Sequence, residues 1–389
     1  MADLNAAPIF SVLLPAKGRP ALAREALVSV LEQSFGDLEV IVSNNGADAA
    51  LRDAIADRLD DPRVRYVEHP VVLPMPQHWE KISQLARGRY LTVLTDRSVL
   101  KQGALATIAD LHDRGGSHAE IVTWAWDLYH SDSGFLQTFA GRSEGARVLD
   151  SDTVALDSLR IGSTFAAALP RGLNSSVSQS LIHAIRARTG GAFQPINPDF
   201  TFAFACLMSH PRITYAGKAL MISQGLSVSN GGNAYLTDAS DYIRTLGLSE
   251  PLPYSPVKAP LIENIIAEDF LAICHQLGRQ DLLEGMDWAD FYLKCLAELD
   301  EKRAAGLLPR ADIERLAADV QKALAANGPE IQARVLGIHR RSSNFTTHTR
   351  RAAKRLLGHR VELVRSLLAR MRRGPRFQSA LQAAGHRGA

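Results

Sequence analysis

The first hundred residues alternate between two periodicities. Residues 10–14, Phe-Ser-Val-Leu-Leu, form an apolar run broken only by Ser11 and closed by Pro15, as in a strand buried on both faces of a parallel sheet. From Ala21 the apolar positions Leu22, Ala26, Val30 and Leu31 fall at helical spacing, and Ser34-Phe35-Gly36-Asp37 ends that helix. Residues 38–43 are a second buried run and stop at Asn44-Asn45-Gly46. The pattern predicts a β-α-β unit whose two loops open at one sheet edge, the carboxyl edge where open α/β sheets bind ligands.

The alternation continues. A helix is expected over 47–58 and a short strand over 64–68. Pro74 and Pro76 then fix a bend before a helix over 78–86. Residues 90–94 read as a third buried strand with Asp96 just past its end, followed by a helix over 103–114 and a strand over 120–129. Helices are expected over 149–158 and 173–188, separated by the loop Pro170-Arg171-Gly172. Asn197-Pro198-Asp199 leads into an apolar helix over 200–208, where proline and an acid both suit the first turn. Strands over 212–216 and 219–223, a polar loop over 225–232 and a proline-rich break over 251–260 follow. Residues 261–326 are then mostly helical, with Ile262, Ile265, Ile266 and Phe270 on one stripe.

The motifs in this pattern resemble the nucleotide-binding half of family-2 glycosyltransferases with the GT-A fold. They are Pro15 to Arg19-Pro20 after a strand, a helix ending Val30-Leu31-Glu32-Gln33-Ser34-Phe35, the strand Glu39-Val40-Ile41-Val42 before Asn-Asn-Gly, Ala86-Arg87-Gly88-Arg89-Tyr90-Leu91, and Leu94-Thr95-Asp96. The likeness is close over 10–105 and looser to about 229. It implies an α/β fold, a GT-A (Rossmann-like) nucleotide-binding sheet flanked by helices, with a C-terminal helical extension. The expected division is 1–250 for the GT-A domain, 251–330 for a helical domain and 331–389 for a basic amphipathic tail.

The resemblance also assigns residues. Asp96-Arg97-Ser98 stands where the family carries Asp-x-Asp, whose two oxygen ligands hold Mg²⁺ or Mn²⁺ against the donor diphosphate. Here Asp96 is the single carboxylate and Ser98 a neutral hydroxyl, while Arg97 repels a cation or holds phosphate itself, so metal dependence is expected to be weak. Asn44-Asn45 occupies the place of an acid that recognises the base, and the same residues also make a common turn. Pro15, Lys17 and Arg19 in the first loop, with His78 and Lys81, are further donor-binding candidates. Asp199 matches the acid that takes the acceptor's proton in an inverting transfer. Trp79, Trp124 and Trp126 are open to core packing or to stacking on a sugar or base.

Charge adds one feature. Residues 331–389 carry 14 lysines and arginines against the single Glu362, a charge of +13, which leaves −10 on the first 330 residues. Between 350 and 373, Ala353, Leu357, Val361, Val364, Leu368 and Met371 share a helical face beside arginines, as in a helix lying on an anionic membrane surface. No aromatic residues are interleaved with these charges, so nucleic acid is not the expected partner. Apolar runs are too short for a membrane span and residues 1–8 lack a leader's layout, so the chain is expected in the cytoplasm, peripheral to the inner face of the membrane. Cys206, Cys274 and Cys295 are odd in number and lack Cys-x-x-Cys spacing, as expected of reduced core thiols.

The resulting expectation is an inverting glycosyltransferase acting on a nucleotide-sugar donor and a glycan or lipid-linked acceptor in surface polysaccharide synthesis. The alternative is a degenerate, non-catalytic nucleotide- or glycan-binding member of the same fold. A nucleotidyltransferase fits less well, because Ala16-Lys17-Gly18-Arg19-Pro20 lacks a glycine-rich phosphate cradle.

Overall fold

The computed structural model describes residues 7–116, 119–139, 145–224, 239–250, 252–342 and 376–386. The chain divides into two compact units. The first holds residues 1–155, 165–224 and 375–389; the second holds 156–164 and 225–374. This division ends the first unit earlier than position 250 and returns the last residues to it. The amphipathic stripe read over 350–373 and the loop over 225–232 lie outside the described residues.

The first unit is built on β1 (Phe10–Ala16), α1 (Pro20–Leu31), β2 (Leu38–Asn45) and β3 (Val64–His69). Strand β4 (Tyr90–Val93) completes a parallel group in the order β3-β2-β1-β4. The sheet then turns mixed: β9 (Ser175–Ser178) runs antiparallel between β4 and β6 (Ile121–His130), and β10 (Arg212–Gln224) is parallel to β6. The short β5 (Ser98–Leu100) closes the order as an antiparallel partner of β10. Strands β7 (Phe135–Gln137) and β8 (Arg147–Asp150) pair off β6 and β10. Buried Phe10, Val12, Leu14, Leu27, Val40, Val42 and Trp124 lie in one core cluster, as the apolar runs predict.

Several elements differ from the pattern reading, each for a physical reason. Pro15 lies inside β1 rather than ending it. Leu13 accepts from the Leu94 amide on the β4 side, so Pro15 faces that side too, beyond the last paired residue, where a missing N–H costs no ladder bond. The helix expected over 47–58 divides at the buried Ile55 into α2 (Ala49–Ala54) and a 3-10 turn. Helix α3 (Met75–Ser83) starts before the expected 78, because Pro76 fits its first turn. Residues 149–150 belong to β8, ahead of α5 (Ser151–Ser158).

The largest departure is β9, expected as the start of a helix. Its serines carry no apolar alternation, yet all are buried and bonded: Ser175 Oγ accepts from the Gly172 amide at 2.9 Å, and Ser176 Oγ lies 2.9 Å from His112 Nε2. Helix α6 (Gln179–Thr189) begins only after Ser178 caps it. The two strands expected over 212–223 are one, β10, whose register slips around Gly217 at φ +68°. Helix α4 (Ala104–Gly115) and the apolar α7 (Pro198–Ser209) stand as expected within a residue or two.

The end of the chain clasps the first unit. Residues 376–386 dock on β5 and β7: the Phe377 amide donates to Gly134 O at 3.0 Å, Tyr129 OH donates to Phe377 O at 3.1 Å, and His386 Nε2 lies 2.7 Å from Leu100 O. Ala380 and Ala384 pack with Val99, Tyr129 and Ile222. Residues 376–386, part of the tail expected over 331–389, are thus held against the first unit.

The second unit is helical, with main helices over Ile262–Leu277, Trp288–Ala305, Arg310–Ala325 and Pro329–Ser342. Glu298 accepts from the amides of Ile262 and Glu263, both at 3.1 Å, which caps the first of these helices; its charge is matched by Lys302 at 3.2 Å, with both side chains 1% exposed. Cys206, Cys274 and Cys295 are buried free thiols. Among the described residues no helix is long and apolar enough to cross a membrane.

Candidate functional site

The carboxyl ends of β1 and β4 lie side by side, so the loops leaving them meet. Arg19, at the foot of α1, donates from Nε to Asp96 Oδ2 at 2.8 Å, and its Nη2 lies 2.8 Å from Oδ1. The backbone amide of Lys17 also bonds this carboxylate. Asp96 is 1% exposed, and burial pushes its carboxyl above the ordinary range against the pull of Arg19 and Arg97. One guanidinium thus holds the carboxylate, by a hydrogen bond to Oδ2 and an ion-pair contact with Oδ1, which accepts no hydrogen bond among the described residues.

Arg97, the next residue, turns the other way. Its Nη1 donates to Ser223 Oγ at 2.9 Å and to Gln224 O at 3.1 Å, which anchors it to the end of β10. Arg171 approaches from the loop before β9, its guanidinium stacked 4.7 Å above Trp126 and 5.9 Å from the Phe200 ring centre. Its buried Nε has no hydrogen-bond acceptor among the described residues. Burial lowers the pKa of Arg97, with Arg19 and Arg171 lowering it further; burial likewise lowers that of Arg171.

Asp199 completes the group from the first turn of α7. Desolvation raises its pKa, while the charges of Arg171 and then Arg97, with the amides of Asp199 and Phe200, pull it back. Three arginines and two carboxylates thus act on one another here, with an excess of positive charge. Arg171 and Phe200 went unassigned from sequence. The Pro-Arg-Gly turn was visible, but nothing in its spacing says that the sheet brings it beside Asp96.

The other candidates lie elsewhere or are already committed. Asn44 Nδ2 donates to Asp48 O at 2.8 Å and to Tyr66 OH at 2.9 Å, while its Oδ1 accepts from the Asp48 amide. Asn45 exchanges two bonds with the Leu73 backbone, at 2.8 and 2.9 Å. His78 is buried with Nε2 2.7 Å from Ser43 Oγ, and burial, with His69 and Lys81, lowers its pKa to about 4. Lys81 and Lys17 are exposed, and Pro15 is buried in β1. Ser98 begins β5 and its hydroxyl lies 3.2 Å from Thr95 Oγ1. Trp79 and Trp124 are core residues, 5% and 1% exposed; Trp126 carries Arg171.

These residues do not fit a divalent cation. A hard ion needs several free oxygen ligands, whereas Asp96 is the local carboxylate at the motif, is already forked by Arg19, and is followed by a second guanidinium. Among the described residues no cluster of three His, Cys, Asp or Glu could hold a metal.

Residues 11–171 match the model of Glycosyl transferase family 2. A curated relative, GalNAc(5)-diNAcBac-PP-undecaprenol beta-1,3-glucosyltransferase of Campylobacter jejuni, is 31% identical over 114 residues, which are 28% of this chain and 37% of that protein. S. aureus TarS 1-349 in complex with UDP-GlcNAc superposes with a TM-score of 0.47 at 13% identity, covering 81% of this chain and 88% of that one. The mannosyltransferase PcManGT of Pyrobaculum calidifontis, in complex with GDP-Man and Mn²⁺, gives 0.45 at 14% identity over 94% and 88%. The fold assignment, GT-A, rests on the family match and on the β3-β2-β1-β4 order with its mixed continuation.

Proposed function

The chain belongs to the family-2 glycosyltransferases through its first unit, and from that premise we propose that it moves a sugar from a nucleotide-sugar to a hydroxyl of a glycan or lipid-linked acceptor, inverting the anomeric carbon. Asp199 takes the hydroxyl proton as the acceptor oxygen bonds to that carbon. The bond from the carbon to the diphosphate oxygen breaks, and its electron pair leaves with the nucleoside diphosphate. The observation that carries this reading is a carboxylate of raised pKa at the start of α7, held beside arginines that suit the leaving diphosphate.

The Campylobacter jejuni relative is named for an undecaprenol-linked acceptor, which supports a lipid-linked acceptor here; work at the cytoplasmic face of a membrane in surface polysaccharide synthesis belongs to the same proposal. The test is a panel of nucleotide-sugars assayed for nucleoside diphosphate release with polyprenyl-diphosphate-linked glycans. Asp199→Asn should bind donor like the parent and turn over ~10²–10⁴-fold more slowly; near-normal turnover removes Asp199 from the mechanism. A second reading, a non-catalytic binding protein, is favoured by Asn44 and Asn45, whose side chains are spent on the backbone. Donor binding without turnover by the parent protein would select it.

A further inference from the structure

Resting on the reading above, we infer that the donor's diphosphate is held by Arg97 and Arg171 in place of a divalent cation, with Asp96 serving as a positioning residue that fixes Arg19 at the rim.

Arg19 donates to Asp96 Oδ2 at 2.8 Å, and its Nη2 lies 2.8 Å from Oδ1, which accepts no hydrogen bond among the described residues, so a guanidinium already stands against the carboxylate a metal would need. A cation entering beside Asp96 would also meet the charges of Arg19 and Arg97, a repulsion that works against the pull of Asp96 and Asp199. An anion faces the reverse. Arg97 is oriented by Ser223 and Gln224, and Arg171 is held flat on Trp126, so neither guanidinium must be ordered when phosphate arrives. Arg171 keeps a buried Nε–H without an acceptor among the described residues, which is costly unless something supplies one.

Burial lowers the pKa of both arginines, and the like charges of Arg19 and Arg171 crowd Arg97 and lower its pKa further. A diphosphate carries the charge that relieves that crowding, and planar guanidinium forks match phosphate oxygens two at a time. Asp199 interacts with the same two arginines.

The experiment is calorimetric titration of the full chain with inorganic pyrophosphate, UDP and GDP, each with Mg²⁺, with Mn²⁺ and with chelator. Pyrophosphate and at least one of the two nucleotides should bind, and chelation should change affinity by less than about threefold. Arg171→Gln should weaken binding by about tenfold or more. Arg171→Lys and Arg97→Lys keep the charge, guard against misfolding and should weaken it less, while Asp199→Asn should bind as tightly as the parent or more so. Loss of binding by more than about a hundredfold on chelation, unchanged affinity in folded Arg171→Gln, or no binding of any probe would overturn the inference. Metal-independent binding without sugar transfer from any donor would instead sink the enzyme reading and leave this one standing; transfer that needs metal would do the opposite.

Discussion

Asp199 on α7 and His78 on α3 are buried titratable groups that burial shifts to different ends. Asp199 is desolvated beside arginines and its pKa is raised, so it holds its proton to higher pH than a free carboxyl. Turnover should rise with pH through that raised value and fall as the pH drops through it; a pH profile of kcat whose acid limb sits in the ordinary aspartate range would contradict the assignment. His78 is neutral when the fold is intact, its pKa depressed from 6.5 to about 4. A depressed pKa means that the unfolded chain binds the proton more readily. Stability is thus fully present above about 6.5 and is lost as pH falls towards 4. His78→Gln should flatten that window in denaturant titrations, and an unchanged slope would show that Ser43 and His78 do not govern it.

The sequence carried the elements of the parallel group because their signals are local. The apolar runs of β1, β2 and β4, the helical spacing of α1 and the proline start of α7 need no knowledge of the rest of the chain. Strand β9 was illegible because its serines are buried by neighbours that arrive from elsewhere and bond their hydroxyls. For the same reason Asp199, Asp96 and Arg97 could be named from their motifs, while Arg171 could not. The clasp over 376–386 is the element with the most direct test. It supports β5 and the end of β10, which carry the groups that hold Arg97. Deleting residues 376–389 removes buried Ala380 and Leu381 with several hydrogen bonds, about 2–4 kcal/mol in all. Urea unfolding should show that loss together with weaker pyrophosphate binding; a variant as stable as the parent would reduce the clasp to a passive end.

At the scale of the whole molecule, charge is divided rather than spread. The first 330 residues carry −10 and the last 59 carry +13. At about 1 kcal/mol per basic residue near an anionic leaflet, half of the tail's charges would give about micromolar attachment, and a screening length of ~8 Å makes it salt-sensitive. Replacing Arg351, Arg355, Arg365, Arg370 and Arg372 by glutamine keeps the clasp and should release the protein from anionic vesicles in co-sedimentation. Equal sedimentation of parent and variant, or no response to lipid charge, would remove the membrane role. The central claim is chemical: an inverting sugar transfer with Asp199 as base. Its most direct test is NMR assignment of the anomeric configuration in the product formed by the parent protein, followed from the first turnovers. The product should carry the configuration opposite to the donor's and be lost in Asp199→Asn; a product that retains the donor's configuration would rule out inversion.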